Sequence, residues 1–323
     1  MRVCVIGAGA VGGYFGARLA RSGHDVVFLA RGAHLEAIRA RGLTIRDHSG
    51  EWRVKAPAEE PGAGLGEVDV VVYAVKTYSN PEALPLLAAV AGDHAVVLTL
   101  QNGVDSPLGI ETVIGHNRTI GGAAYVATAR TAPGVIVATG AHRRIAFGET
   151  AGDLSHVSTR CLLLETVLRE ADIVPEPFAN GWVPLWEKFI YLAPFAAFTS
   201  AARQPIGPLW TDPDTRGLLV AAFKEVAALA TAERVPIRRG TLKRILTYVD
   251  SLHPTVRSSM LIDIQQGRRT EVEALVGSVV RRARRRRIKA PIMTTLYAAL
   301  REYPPATSPQ PSSPGPVFSG FPR

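Results

Sequence analysis

Cysteine is scarce in this chain, since Cys4 and Cys161 are its only two among 323 residues. Two cysteines allow one disulfide at most, which excludes a disulfide-stapled secreted scaffold and favours a reducing compartment. The eight histidines show no ligand spacing such as HExxH, and neither cysteine has a close cysteine partner. We therefore expect no metal site and interpret the histidines as loop or surface groups.

Long apolar runs are missing as well, because proline or charge interrupts each of them. We expect no membrane-spanning segment. The opening residues "MRVCVI" enter a strand pattern directly and lack the basic, apolar and small-residue parts of a signal peptide. The sequence therefore predicts a cytoplasmic protein.

Acidic residues do not balance the basic ones, and the net charge is +9. Much of this excess lies in "RRARRRRIK", residues 281–289. Such a run can bind nucleic acid or a membrane surface. Neither interleaved aromatic residues nor a nucleic-acid motif accompanies it, and its apolar neighbours keep helical spacing. The pattern favours the solvated face of a helix, without a nucleic-acid or membrane partner.

Strand and helix patterns alternate in the first third of the chain. Buried-strand patterns occur in "RVCVI", "HDVVFL", "VDVVVY" and "HAVVLTL", with helical patterns between them. This alternation predicts an α/β fold whose parallel sheet carries helices on both faces. We also predict a hairpin at 43–57 with its turn at Ser49-Gly50, short strands at 119–147, and a helix at 154–170.

The second half reads as helical. We predict helices at 182–202, 216–233, 241–251, 259–267, 271–287 and 292–302, and interpret the proline-rich "DIVPEPFAN" before them as a crossing. The predicted domains are an N-terminal Rossmann-type domain at 1–178 and an all-helical domain at 179–303. The tail, 304–323, is rich in proline, serine and glycine and is predicted to be disordered.

A glycine-rich run follows the first strand and opens the first helix: Gly7, Ala8, Gly9, Ala10, Val11 and Gly12. It matches the dinucleotide-binding fingerprint in the context that the fingerprint requires. Gly7 permits the tight turn, Gly9 lets the backbone approach the pyrophosphate, and Gly12 lets helix and strand pack closely. We therefore assign residues 1–178 as the nucleotide-binding domain.

The end of the second strand indicates which nicotinamide cofactor binds. An acidic residue there would bind the ribose 2′-hydroxyl of NAD, but the strand ends in Arg31. A guanidinium pairs well with a 2′-phosphate, so we predict NADP(H). Lys76 in "YAVKTY" and Asn102 in "TLQNGV" follow two further strands, and we expect both near the cofactor because ligands bind at the carboxyl ends of such strands.

These motifs in this order resemble the ketopantoate reductase (2-dehydropantoate 2-reductase) family. The resemblance covers about residues 1–302 and rests on "GAGAVG", "VKTY", "QNGV", "WEKF" and "SSMLIDIQQGRRTEVEAL". It implies an N-terminal Rossmann domain, a helical C-terminal domain, and the NADPH-dependent reduction of ketopantoate to pantoate in pantothenate biosynthesis.

The resemblance also implies a role for individual residues. Lys188 matches the proton donor, Glu271 a glutamate that contacts cofactor and substrate, and Ser259 a substrate contact. Cofactor contacts are implied for the glycine run, Arg31, Lys76, Asn102, Ala127 and Glu271. The residues themselves leave alternatives open: Lys188 as a helix-end lysine whose amine reaches water, and Glu271 as an ion-pair partner of Arg268 or Arg269.

Four asparagines that are usual in the family are replaced by apolar residues: Leu192, Ala196, Val256 and Val276. Leu192 and Ala196 are expected at the substrate, together with Lys188, Ser259 and Glu271. An apolar wall favours a less polar substrate than ketopantoate. Two alternatives therefore stay open: a relative that reduces a less polar carbonyl compound, and a non-catalytic NADP(H)-sensing protein. The apolar helices would serve a homodimer seam or internal packing equally well.

Overall fold

The computed structural model describes residues 1–301, which divide into two compact units. The sheet unit comprises Met1–Gln101 and Asp105–Pro184, and the helical unit comprises Asn102–Val104 and the described residues from Leu185 onward. The tail predicted to be disordered, 304–323, lies outside the described residues. Within them, helices long and apolar enough to cross a membrane do not occur.

The strands among residues 1–301 all lie in the sheet unit and form one sheet. They are β1 Arg2–Ile6, β2 Asp25–Leu29, β3 Leu43–Asp47, β4 Gly50–Val54, β5 Ala58–Glu59, β6 Val70–Tyr73, β7 Val96–Thr99, β8 Thr119–Ala132, β9 Val135–Glu149 and β10 Val174–Phe178. The order is β4-β3-β9-β8-β7-β6-β1-β2-β5, and β10 pairs with β9. The segment β8-β7-β6-β1-β2-β5 is parallel throughout.

Helices cover both faces of this sheet: α1 Ala10–Arg21, α2 Gly32–Arg41, α3 Asn80–Ala91, α4 Ser106–Ile114 and α5 Thr159–Glu170. The side chains of β1 show the two faces directly. Val3 and Val5 join the apolar core under α1, α2 and α5, whereas Cys4 and Ile6 join the core under α3 and α4. This alternation, period two along a strand, confirms the predicted α/β fold.

Four local predictions in the sheet unit need correction. The short strands predicted at 119–147 are two long strands, β8 and β9, of 14 and 15 residues. The proline-rich segment is not a crossing but strand β10, and its prolines are tolerated because β10 is an edge strand. Helix α5 begins at Thr159 rather than 154, since Ser158 caps it by accepting a hydrogen bond from the Cys161 amide at 3.2 Å. The predicted hairpin turn lies one residue earlier, at His48-Ser49, because Gly50 already pairs with Asp47.

The remaining helices are α6 Trp182–Ala202, α7 Ile206–Thr211, α8 Pro213–Ala232, α9 Thr241–Asp250, α10 Ser259–Gln265, α11 Ser278–Arg286 and α12 Pro291–Leu300. Helix α6 is predominantly apolar and is buried along most of its length, as expected of a central helix. Tyr191 of α6 packs against Phe223 of α8 and Tyr248 of α9. These aromatic contacts centre the helical unit on α6.

The helix predicted at 271–287 is interrupted. A π-helix occupies Glu273–Gly277 before α11 begins at Ser278. Such π-helical turns are rare and frequently occur at functional sites. The π-helix begins two residues after Glu271, which the sequence had singled out.

Candidate functional site

The glycine loop between β1 and α1 has distinct constraints at its three glycines. A Cβ on Gly7, whose φ is +98°, would lie 2.6 Å from the Val75 amide nitrogen. A Cβ on Gly12 would lie 2.3 Å from the Gly7 carbonyl oxygen. At Gly9, by contrast, a Cβ would meet no atom within 4 Å. The chain itself therefore requires glycine at 7 and 12, whereas Gly9 borders open space.

The first turn of α1 fits a phosphate group. Gly9 occupies the N-cap position and provides no side-chain cap for the helix. The amide groups of a first helical turn lack intrahelical acceptors and attract anions. Open space beside Gly9 together with these uncapped amides matches what a dinucleotide pyrophosphate requires.

Arg31 lies at the end of β2, where it occupies the N-cap position of α2. Its guanidinium Nη1 pairs with Glu82 Oε2 at 3.0 Å, and both side chains are more than half exposed. Exposed pairs of this kind contribute about 0–1 kcal/mol. Arg31 can therefore exchange this partner for another anion at little cost.

The loop that follows β6 carries Lys76 and is hydrogen-bonded by Gln101, which follows β7. Lys76 precedes the short 3₁₀ turn Thr77–Ser79. The buried Gln101 side chain donates to the Val75 carbonyl at 2.8 Å and to Asn80 Oδ1 at 2.7 Å. Gln101 thus ties the end of β7 to the loop that carries Lys76. The sequence pointed to its neighbour Asn102 and gave Gln101 no role.

Ala127 is buried in β8, beside an irregularity of the sheet. The β8-β9 register shifts between Val126 and Thr128. Such irregularities release backbone groups from the ladder. This geometry is compatible with the backbone contact that the resemblance implies for Ala127.

Lys188 lies in the second turn of α6, and only 8% of the residue is exposed. Its Nζ donates a hydrogen bond to Asn102 Oδ1 at 2.8 Å. The alternative of a helix-end lysine whose amine reaches water does not hold, because the residue is buried and its amine meets an amide oxygen. Asn102 belongs to the helical unit with Lys188, although the residue before it belongs to the sheet unit.

The turn formed by Asn102 and Gly103 also contacts the segment that follows Glu271. Gly103 has a φ of +101°, and a Cβ on it would lie 3.1 Å from the Ala274 carbonyl oxygen. Glu271 is 6% exposed, and its carbonyl accepts from the Ala274 and Leu275 amides at 3.1 and 3.0 Å. The turn that carries Asn102, the hydrogen-bond partner of Lys188, therefore packs against the helical segment that follows Glu271. Arg268, one of the two arginines considered as an ion-pair partner of Glu271, pairs instead with Asp263 at 2.7 Å.

Ser259 begins α10 and is half-buried, whereas Ser258 before it is buried and its hydroxyl is hydrogen-bonded. Ser258 Oγ accepts from the Leu261 amide at 3.0 Å and from Thr199 Oγ1 at 2.8 Å. Ser258 and Thr199 thereby fix α10 to α6. The sequence did not indicate this link, since a cap and its partner helix are distant along the chain.

The four apolar residues at the family's asparagine positions are all buried: Leu192, Ala196, Val256 and Val276. Leu192 and Ala196 follow Lys188 at spacings of four and eight, so they share its helix face. This face therefore carries one ammonium group followed by apolar side chains.

Glu187, the residue before Lys188, is buried in a cluster of hydrogen-bond donors from the segment 238–244. Glu187 is 3% exposed and accepts from Arg238 Nε, Thr241 Oγ1 and Arg244 Nη2 at 2.9–3.1 Å. Desolvation alone would raise the pKa of Glu187, but the hydrogen bonds and the charge of Arg238 outweigh it and hold the pKa below its usual value. Glu187 thus anchors α6 to the segment 238–244.

Most arginines of the basic run lie on an exposed helix face, as predicted, but Arg282 is an exception. Arg281 pairs with Glu273, and Arg285 and Arg286 pair with Glu233. Arg282, however, is buried. It donates to the Val104 carbonyl at 3.3 Å and lies over the Trp186 ring at 5.7 Å. Arg282 therefore holds the segment of Asn102 against the helix of Lys188.

Comparison with known proteins agrees with this architecture. The family model described as "Ketopantoate reductase PanE/ApbA" matches residues 3–152, and "Ketopantoate reductase PanE/ApbA C terminal" matches residues 184–304. A 2-dehydropantoate 2-reductase of Mesorhizobium japonicum is 34% identical over 304 residues, covering 86% of this chain and 90% of that protein.

Solved structures match over nearly the whole chain. The crystal structure of a 2-dehydropantoate 2-reductase from Geobacter metallireducens superposes with a TM-score of 0.86 at 29% identity, covering 94% of this chain and 99% of that one. D-mandelate dehydrogenase with NADH and anilino(oxo)acetate shares the fold with a TM-score of 0.85 at 18% identity, covering 93% and 97%. The chain belongs to the ketopantoate reductase family of oxidoreductases.

Proposed function

We propose that this protein reduces the keto group of a 2-oxo acid or ketone to the hydroxy product with NADPH, and that ketopantoate is the named substrate to test first. The observation that carries the proposal is the buried Lys188 ammonium, held 2.8 Å from Asn102 Oδ1 in the unit that also contains Glu271. A sensing protein needs no such group. The bound cofactor supplies the hydride.

Lys188 is the proposed proton donor. Its ammonium donates a hydrogen bond to the substrate carbonyl oxygen, stabilises the negative charge that develops there, and transfers a proton to it. The bond to Asn102 restricts the direction of Nζ, so less freedom is lost when substrate binds. Glu271 accepts a hydrogen bond from a substrate hydroxyl, and Ser259 provides a further polar contact.

NADP(H) is the proposed cofactor because Arg31 ends β2 where an acidic residue would favour NAD. In this proposal the loop from Gly7 to Gly12 binds the pyrophosphate. Other parts of the nucleotide are contacted by Lys76, Asn102 and Ala127. The D-mandelate dehydrogenase of the same fold holds NADH, so both nicotinamides belong in the assay.

A less polar carbonyl substrate is the second candidate. It is favoured by Leu192 and Ala196, which continue the face of Lys188 and are both buried. A substrate hydroxyl that faces this apolar wall finds no hydrogen-bond partner there, whereas each methylene placed against the wall contributes about 1–3 kcal/mol. A 2-oxo acid with an aliphatic or aromatic side chain satisfies that wall better than a hydroxylated one.

One experiment compares these candidates. NADPH oxidation is measured with ketopantoate and with 2-oxo acids of similar size that lack the hydroxyl. Lys188→Ala should lower kcat about 10²–10⁴-fold, the usual contribution of a general acid, with little change in the Kd for NADPH. Lys224→Ala, which removes an exposed lysine from α8 of the same unit, is the matched control.

Each outcome decides between the candidates. A higher kcat/KM for the apolar 2-oxo acids would establish the second substrate class, and the opposite ranking would establish ketopantoate. Tight NADPH binding without turnover of any substrate would support the sensing protein instead. Full activity of Lys188→Ala would refute the proton-donor role.

A further inference from the structure

His34 is buried in the first turn of α2, with 6% of the residue exposed. For this histidine, the expectation of a loop or surface group is wrong. Both ring nitrogens have backbone partners. Nε2 lies 2.6 Å from the Ala8 carbonyl oxygen, and Nδ1 lies 2.9 Å from the Gly134 amide nitrogen. The ring therefore joins the glycine loop to the turn between β8 and β9.

The two partners determine the tautomer of the ring. An amide N–H only donates and a carbonyl only accepts. Nδ1 must therefore be the unprotonated acceptor for Gly134, and Nε2 must carry the proton that is donated to Ala8. Burial, opposed by the hydrogen bond to Ala8 and reinforced by the charge of Arg130, lowers the pKa of His34 and keeps this neutral form.

The bond to Ala8 also orients the next amide. The carbonyl of Ala8 and the N–H of Gly9 belong to one trans peptide plane and point in opposite directions. Fixing the carbonyl toward His34 therefore turns the Gly9 N–H the other way. Because open space surrounds the Cβ position of Gly9, this amide is available to a phosphate.

We propose that His34 is a positioning residue for the nucleotide-binding loop: it holds the Ala8 carbonyl away from the pyrophosphate and so aims the Gly9 amide at it. The inference rests on the proposed NADPH binding. His34 also lies three residues after Arg31, the residue proposed to bind the 2′-phosphate. The N-terminal end of α2 therefore links that residue to the glycine loop.

The test compares three variants of the full chain. His34→Phe keeps a ring of similar shape and removes both hydrogen bonds. His34→Gln retains an amide N–H close to the position of Nε2. Leu35→Ala is the matched control, because it weakens the same helix by removing a fully buried side chain without touching either hydrogen bond.

The readouts are the Kd for NADPH by calorimetry, the unfolding midpoint of the ligand-free protein, and the protonated ring nitrogen of His34 by ¹⁵N NMR. We expect a proton on Nε2 alone. We expect His34→Phe to raise the Kd about tenfold, equivalent to about 1.4 kcal/mol, and His34→Gln to recover most of the affinity. Leu35→Ala should lower the unfolding midpoint and leave the Kd within about twofold.

Three results would overturn the inference. The first is a wild-type Kd for His34→Phe, and the second is a rise in Kd that Leu35→Ala reproduces in proportion to its loss of stability. The third is a ring proton on Nδ1. If the unaltered protein binds neither NADPH nor NADH, the proposed function fails, and that failure is distinct from the first three because it appears before any variant is made.

Discussion

Replacing Gly9 by alanine tests the proposed cofactor site with little disturbance of the protein. The backbone of Gly9, with φ −72° and ψ −156°, is one that alanine can adopt. The added methyl meets no atom within 4 Å. Alanine is the poorer N-cap by up to about 1 kcal/mol, but it reduces unfolded-chain entropy by about 0.4–1 kcal/mol. We expect the stability of the ligand-free protein to change by no more than about 0.5 kcal/mol.

The effect on cofactor binding should be much larger. If the pyrophosphate lies against the Gly9 backbone, the methyl group occupies its space. Overpacking by a methyl group costs about 1–3 kcal/mol, which corresponds to a Kd about 5- to 150-fold higher. Calorimetric titration with NADPH gives the Kd, and thermal unfolding without ligand gives the stability.

Gly12→Ala is the contrasting control. Its methyl would lie 2.3 Å from the Gly7 carbonyl oxygen, and backbone there has little room to move. We expect this variant to lose about 1–3 kcal/mol of stability even without ligand. A wild-type NADPH affinity in Gly9→Ala would refute the reasoning, because the open space beside Gly9 would then have no bearing on the cofactor.

Three further predictions concern cofactor choice, stability and substrate. Arg31→Ala should raise the KM for NADPH about tenfold or more, since a charge-assisted hydrogen bond is worth about 1.5–3 kcal/mol, and leave the KM for NADH unchanged; equal losses would contradict the 2′-phosphate role. Glu187→Ala should lower the free energy of unfolding in urea by about 2–3 kcal/mol, less than for a fully buried pair because Arg238 is 40% exposed. Because the folded-state pKa of Glu187 lies below its ordinary 4.5, this difference should be complete above pH 4.5 and shrink as pH falls through the folded-state pKa; a constant difference at lower pH would exclude the carboxylate as its source. Leu192→Asn should raise kcat/KM for ketopantoate relative to apolar 2-oxo acids in steady-state assays, and an unchanged ratio would remove Leu192 from the substrate wall.

Much of the sheet unit was predictable because each of its signals is local. Alternating apolar residues in β1, the glycines that follow and the hairpin at β3-β4 each depend on neighbours in the chain. The prediction was wrong where a distant partner decides the outcome. Strand β10 contains two prolines and forms only because β9 offers a free edge.

The same distinction between local and long-range information applies to the candidate site. Residue identity alone singled out the glycine loop, Lys188 and Asn102. Only folding shows that the last two share a hydrogen bond, because 86 residues separate them. The buried supporting groups were not predictable. His34 resembles any surface histidine in sequence, and Arg282 resembles the other arginines of its run, until packing determines which side chain faces inward.

The sequence by itself determined the α/β class, the position of the glycine loop and the family, since these depend on period, glycine placement and motif order. The tertiary structure alone decided which charges are buried and what they bond. Burial of a charge without a hydrogen-bond or ion-pair partner is costly. A buried charged side chain therefore needs such a partner, which residues distant along the chain provide. The ammonium of Lys188 is the clearest case: the chain places a lysine in an apolar helix, and the fold brings Asn102 to meet it.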